Sequence, residues 1–309
     1  MLSTRISCVV LAGLISSTQV RAQERAAAEP AAATKMAAAR DDYAAEQLGW
    51  RLAVQAWTFR DRTAFEAIDT AHRLGLRYIE LYPGQKLSPE HGEAKVGVGM
   101  TPELLVALAE KLQSSQVHVV NFGVVGLNKD EHAARALFGF AKSLAIETIT
   151  CEPDDDAWDL GEKLADEYGI NLACHDHPKP SHYWNPDTVL AAVQHRSPRL
   201  GACADTGHWP RSGLEPIACL QKLRGRIKTL HFKDIAPLDK TGIDRPWGTG
   251  AENARGMLEE LHAQGFRGAI SIEYETGAGK ELEDNVARCI AFFDGVAREL
   301  RAADLKKGS

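Results

Sequence analysis

Four residues able to ligate a metal or move a proton each stand at or near the end of a short, strand-like run. Glu152 closes Thr148 to Glu152, Asp205 closes Leu200 to Asp205, His231 lies in Ile227 to Phe232, and Glu273 lies in Ala269 to Glu275. Strand side chains alternate between faces. Glu152 therefore shares its face with Thr148 and Thr150, Asp205 with Gly201 and Cys203, His231 with Ile227 and Thr229, and Glu273 with Ala269 and Ser271. Each caps two inward layers of mostly small residues, as expected around one mouth of a barrel. Three carboxylates and one imidazole are a hard, oxygen-rich donor set, so Mn²⁺ is the first choice of ion, with Mg²⁺, Co²⁺ and Zn²⁺ as alternatives. Glu275, in phase with Glu273 but one layer further out, is the second choice for the last ligand.

The same alternation brings further polar residues to this mouth. His175 is in phase with Asn171 and Ala173, and His177 is in phase beyond it, so both are candidates for proton transfer beside the metal. Trp57, Glu80 and Asn121 are expected to face inward at the ends of the first three strands, as substrate contacts. An inward carboxylate such as Glu80 needs a cation or hydrogen-bond donors to stay charged, and Lys233, in phase with His231, is one group it could meet. Lys233 could also hold a substrate oxygen. Histidines and aromatics gather in the loops above, with His177, His182, Tyr183, Trp184 and Trp247, as suits stacking on a polyol. Trp247 is taken as a substrate contact.

Positioning such a ring takes eight strands and the helices between them. Strand-like runs at Leu52 to Trp57, Tyr78 to Leu81, Val117 to Phe122, Thr148 to Glu152, Asn171 to His175, Leu200 to Asp205, Ile227 to Phe232 and Ala269 to Glu275 alternate with amphipathic stretches. Among the latter are Thr63 to Leu74, Pro102 to Ser114, Glu131 to Leu144, Pro186 to His195, Glu252 to Gln264 and Asp284 to Leu300. Thr101-Pro102-Glu103 reads as a capped helix start, and Gly75 and Gly169 as helix ends. Eight such units predict a single (β/α)8 TIM barrel, a fold of about 250 residues whose active sites lie at the C-terminal face of the strands. Three long connections, Tyr82 to Gly99, Asp176 to Asn185 and Asp234 to Gly250, would roof that face.

Taken in order, Glu152, then Asp205-Thr206-Gly207-His208, His231-Phe232-Lys233-Asp234 and Ile272-Glu273, this chain resembles the xylose isomerase-like TIM barrels, the sugar phosphate isomerase/epimerase group. The resemblance runs from about Leu52 to the C-terminal helix. It implies Glu152, Asp205, His231 and Glu273 as ligands of a divalent cation, Glu152 and Glu273 as acid and base on opposite faces of a sugar, and His208 as a substrate contact. The chain departs from the ketose epimerases at Cys174-His175-Asp176-His177-Pro178, where they tend to carry a Glu.

Removing a proton next to a carbonyl builds negative charge on oxygen, which a divalent cation stabilises by several kcal/mol. If the proton returns to the other face the product is an epimer; returned to the neighbouring carbon, it gives an isomer. A metal-dependent sugar isomerase or epimerase acting on a non-phosphorylated sugar or keto-sugar is therefore the expected activity. A 3-keto-glycoside lyase working by β-elimination on the same site is the alternative, followed by a non-catalytic carbohydrate-binding barrel.

With 309 residues, 44% hydrophobic and 25% charged, the chain can build a large core unaided. A formal charge of -6 and the lack of a basic stripe interleaved with aromatics argue against nucleic acid and for a small carbohydrate as partner. Assembly into a homo-oligomer is compatible with the sequence. Arg5, the apolar stretch Ile6 to Ser17 and Val20-Arg21-Ala22 read as a signal peptide of residues 1–22, which implies a periplasmic or secreted protein with no membrane span after cleavage. Residues 23–48 are expected to be a flexible segment, and 49–309 the barrel. After cleavage, Cys151, Cys174, Cys203, Cys219 and Cys289 remain, an odd number without a C-x-x-C pair, as for buried reduced thiols.

Overall fold

Eight parallel strands hydrogen-bond in sequence order and close on themselves in the computed structural model, which describes residues 40–307. The barrel strands are β1 (Trp50–Gln55), β2 (Tyr78–Leu81), β3 (His118–Leu127), β4 (Thr148–Pro153), β5 (Asn171–His175), β6 (Leu200–Asp205), β7 (Ile227–Phe232) and β8 (Gly268–Ile272). Closure is made by β1 against β8, with Leu52 beside Ile270 and Val54 beside Ile272. Helices fill each crossover, so the protein is a (β/α)8 TIM barrel. The expected signal peptide and most of the expected tether lie outside the described residues.

Local chemistry fixes the helices much as the sequence implies. Thr63 caps Ala64–Arg73 in a capping box with Glu66, and Thr101 caps Pro102–Ser114 with Pro102 in the first turn. Gly169 ends Trp158–Tyr168 in the left-handed conformation at φ 72°, which a side chain would disfavour. Apolar faces of these helices pack on the outward strand residues in one continuous core that includes Leu52, Ile79, Phe122, Ile149, Leu172, Ala204, Leu230 and Ile270.

Several boundaries differ from expectation, among them β1, which ends at Gln55 and leaves Trp57 in a 3-10 turn. β3 runs on to Leu127 beyond a register shift. β8 stops at Ile272, and two residues on the amide of Tyr274 donates to Thr58 Oγ1 (3.0 Å) instead of to the sheet. The segment expected to be flexible up to residue 48 instead carries a helix, Tyr43–Leu48, which packs on the 29-residue helix Gly279–Lys307. Arg40, just before it, forms a fork with Asp294 at 2.6 and 2.9 Å, both side chains largely buried.

The loops follow the predicted division. The β7 loop holds a two-stranded hairpin, Ile235–Ala236 against Ile243–Asp244. Asp234 ties this loop down by accepting from the amides of Gly248, Gly250 and Glu252 at 2.8–3.1 Å. Among the described residues, no helix is long and apolar enough to cross a membrane.

Candidate metal centre

The inward layer beneath the mouth is a hydrogen-bond network centred on Glu80. Its carboxylate accepts from Thr150 (2.9 Å), Ser271 (2.8 Å) and Asn121 (3.1 Å), and His231 Nε2 donates to it at 2.9 Å. Burial alone would raise the Glu80 pKa, but the His231 charge and these donors lower it below the ordinary value. Glu80 and Asn121 are thus corrected from substrate contacts to buried supports, and Glu80 meets His231, not Lys233. When His231 gives up one proton, as a ligand must, the carboxylate on Nε2 keeps the other there and leaves the Nδ1 lone pair facing the mouth.

Above this floor, donors of His175, Asp205, His231 and Glu273 lie within 4.8 Å of one another, and all four residues are buried. His231 Nδ1 is 3.1 Å from His175 Nε2 and 3.3 Å from Glu273 Oε2, while His175 Nε2 is 3.6 Å from Asp205 Oδ2. Asp205 is presented by its own turn, its Oδ1 accepting from the amides of Gly207 (3.0 Å) and His208 (3.1 Å). Oδ2 is left facing the cluster. Three of the four expected ligands therefore converge, with His175 beside them.

Glu152 departs from expectation. Its carboxylate, 30% exposed, accepts a short hydrogen bond from His177 Nδ1 and sits 4.0 Å from His175 Nδ1. It belongs to a second group, Glu152, His175 and His177, further out at the mouth. Partial burial works to raise its pKa, but the neighbouring imidazoles of His175 and His177, the latter hydrogen-bonded to it, prevail and hold it at about 2. The bond to Glu152 in turn raises the pKa of His177.

Lys233 is fully buried, its Nζ 2.6 Å from both Asp205 Oδ2 and Glu273 Oε2 and 3.2 Å from Glu275 Oε2. Burial would strip its charge; Asp205 and Glu273 outweigh that and keep it an ammonium. Gly207 makes room for the lysine stem, since a Cβ there would come within 2.8 Å of Lys233 Cδ. Glu275, whose carboxylate faces Lys233 and Arg211, stands outside the cluster.

His208 Nε2 is 3.2 Å from Asp205 Oδ2, and Arg211 Nη1 donates to His208 Nδ1 at 3.1 Å. Burial lowers the His208 pKa well below its ordinary value, so the ring is neutral and Nε2 carries the proton. Arg211 was not read from the sequence, although its place three residues after His208, on the same helical turn, is the signal that could have shown it. Trp57 lies just past β1, 41% exposed, with its ring edge-on to Tyr82. Trp247 does not reach the mouth: it is buried against Phe232 and Phe293, behind the outward face of β7. Cys203 is paired in register with His175, one layer below Asp205 and His231, and burial pushes its thiol up to about 12, so it stays protonated.

The donors fit a divalent ion. An ion about 2.1 Å from each donor sets neighbouring donors about 3.0 Å apart at right angles and about 3.4 Å at tetrahedral angles. The observed separations of 3.1 and 3.3 Å fall within that range, and 3.6 Å lies just above it.

Known proteins share this frame. Residues 156–294 match the xylose isomerase-like TIM barrel family. An uncharacterised protein of Parabacteroides distasonis has the same fold at a TM-score of 0.66 and 31% identity, over 79% of this chain and 98% of its own. The crystal structure of the IOLI protein with a zinc atom superposes at a TM-score of 0.62, with 17% identity over 81% of this chain and 99% of that one, a likeness of fold alone. Inosose dehydratase of Lacticaseibacillus casei is 24% identical over 149 residues, which are 41% of this chain and 50% of that enzyme. The chain spans 40–50% of the length of such curated relatives.

Proposed function

Since the chain belongs to the xylose isomerase-like TIM barrel family, we propose that it is a divalent-metal-dependent isomerase or epimerase of a non-phosphorylated sugar or keto-sugar, acting through an enediolate. The observation that carries this reading is the buried cluster of Asp205, His231, Glu273 and His175, bordered by groups able to move a proton. Asp205, His231 and Glu273, with one further donor, would hold the cation. A cation there supplies Lewis acidity to a carbonyl oxygen and the neighbouring hydroxyl.

The chain's own residues do the rest. Lys233, an ammonium fixed between Asp205 and Glu273, places positive charge where an enediolate oxygen builds negative charge. His208, held as the Nε2–H tautomer by Arg211, donates to a substrate oxygen at the rim. His177 is bound through Nδ1 to Glu152, which leaves Nε2 to take the proton from the carbon next to the carbonyl. Return of that proton to the opposite face or to the neighbouring carbon gives the epimer or the isomer, and Glu273 is the carboxylate across the cluster from Glu152 that can assist. Trp57, exposed beside Tyr82, offers an apolar face for a sugar ring.

A second reading is β-elimination, including cleavage of a 3-keto-glycoside. It is favoured by the histidine at 177 and by the likeness to a dehydratase. The protein loaded with Mn²⁺, Co²⁺ or Zn²⁺ and incubated in D₂O with free ketoses and with 3-keto-glycosides separates the two. Deuterium on carbon with an intact skeleton supports isomerisation or epimerisation, and loss of an aglycone or of water supports elimination. Absence of both exchange and elimination with every sugar and ion counts against the whole reading.

The amino-terminal pattern supports an exported enzyme. Purification from cells should then yield a chain that begins at Gln23, as intact mass would show.

A further inference from the structure

Resting on the reading just proposed, we infer that in this chain His175, not Glu152, is the fourth ligand of the cation, and that Glu152 supports both His175 and His177 from behind. Three observations carry the assignment.

The first is distance. His175 Nε2 stands 3.1 Å from His231 Nδ1 and 3.6 Å from Asp205 Oδ2, edges suited to one ion. Glu152 Oε1 lies nearest the other nitrogen of the ring, 4.0 Å from Nδ1. The imidazole of His175 thus stands between Glu152 and the cluster.

The second is an orphan. His175 is buried, yet its Nδ1 has no hydrogen-bond partner. Ligation through Nε2 makes Nδ1 the protonated nitrogen, and a small closure toward Glu152 Oε1 would satisfy it. The arrangement repeats across the barrel, where Glu80 accepts from the ring nitrogen of His231 that faces away from the cluster. Each imidazole would then have one nitrogen on the ion and one on a carboxylate.

The third is that Glu152 is already engaged. Its carboxylate accepts from His177 Nδ1 and is partly open to solvent, whereas the other members of the cluster are enclosed. Drawing it onto the ion would strip His177 of the group that orients its ring. Two imidazoles and two carboxylates also make a donor set less hard than three carboxylates and one imidazole, which moves the preference from Mg²⁺ toward Zn²⁺ or Co²⁺.

Metal binding tests this directly. The full chain and its His175→Ala, Glu152→Gln and Asp205→Asn variants are stripped with chelator and titrated with Co²⁺ and Zn²⁺. Metal content and the visible spectrum of the Co²⁺ form are read beside circular dichroism. The wild type should hold one ion in the cluster. Asp205→Asn and His175→Ala should lose affinity by more than about a hundredfold, beyond the range of an outer partner, and Glu152→Gln should lose no more than about a hundredfold. The Co²⁺ spectrum should keep its wild-type bands in Glu152→Gln.

Loss of the ion in Glu152→Gln to the same degree as in Asp205→Asn overturns the assignment, even if His175→Ala fails to fold. Retention of the ion in a folded His175→Ala overturns it as well. A folded wild type that binds neither ion defeats the assignment and the metal-dependent reading together, whereas the preceding two outcomes leave that reading standing.

Discussion

Glu80 and Lys233 show how much of this site is held by fully buried charged groups. Glu80 keeps His231 in one tautomer from beneath, with Thr150, Ser271 and Asn121 completing its hydrogen bonds. Glu80→Gln should weaken divalent-ion binding by about 10–100-fold while the fold persists, as read by titration against a chelating indicator. Lys233 is the only ammonium between Asp205 and Glu273 among the described residues. Without added metal, Lys233→Met should lose about 3–5 kcal/mol in denaturant unfolding, because two buried carboxylates then face each other unpaired. Saturating divalent ion should recover part of that loss, since it supplies the missing charge and binds only the folded chain.

The long loop after β7 carries a titration of its own. Glu252 accepts from the amide of Ile235 at 2.9 Å with one oxygen, while the other has no partner, and burial pushes its carboxyl up to about 9. The folded chain therefore keeps this proton over the interval from 4.5, where the unfolded chain loses it, to about 9. Stability falls as pH rises through that window. Glu252→Gln keeps an acceptor for Ile235 and removes the loss; it should be neutral near pH 4 and more stable than wild type by about 3 kcal/mol at pH 7, as thermal unfolding across pH would show. This loop also marks where the sequence stops being legible. Period-two phase recovered Tyr78–Leu81, Asn171–His175, Leu200–Asp205 and Ile227–Phe232 and brought Asp205, His231 and Glu273 together. Phase names a face of a strand; it does not choose a rotamer, so Glu152 could be placed at the mouth without any sign that His177 would claim its carboxylate. Trp247 lies in a stretch with no period, and its packing on Phe232 and Phe293 is decided by residues far along the chain.

At the scale of the whole barrel, the first described residues pack on the last helix, on the side away from the chemistry. The helix Tyr43–Leu48 leads directly into the first residue of β1, at the N-terminal end of the strands, and the Arg40–Asp294 fork joins it to the last helix. Arg40→Met should cost about 3 kcal/mol, since it leaves Asp294 buried without its partner, and denaturant unfolding with unchanged metal affinity would show that the cost is confined to this end. The geometry bears on how the protein can be handled on a solid support. A resin or electrode linked through a tag ahead of Arg40 would hold the barrel by its closed base, with the mouth of Asp205, His231 and Glu273 turned to the bulk liquid. Grafting through the exposed Lys179, in the loop that follows His177, would press that mouth against the surface and slow the entry of small molecules.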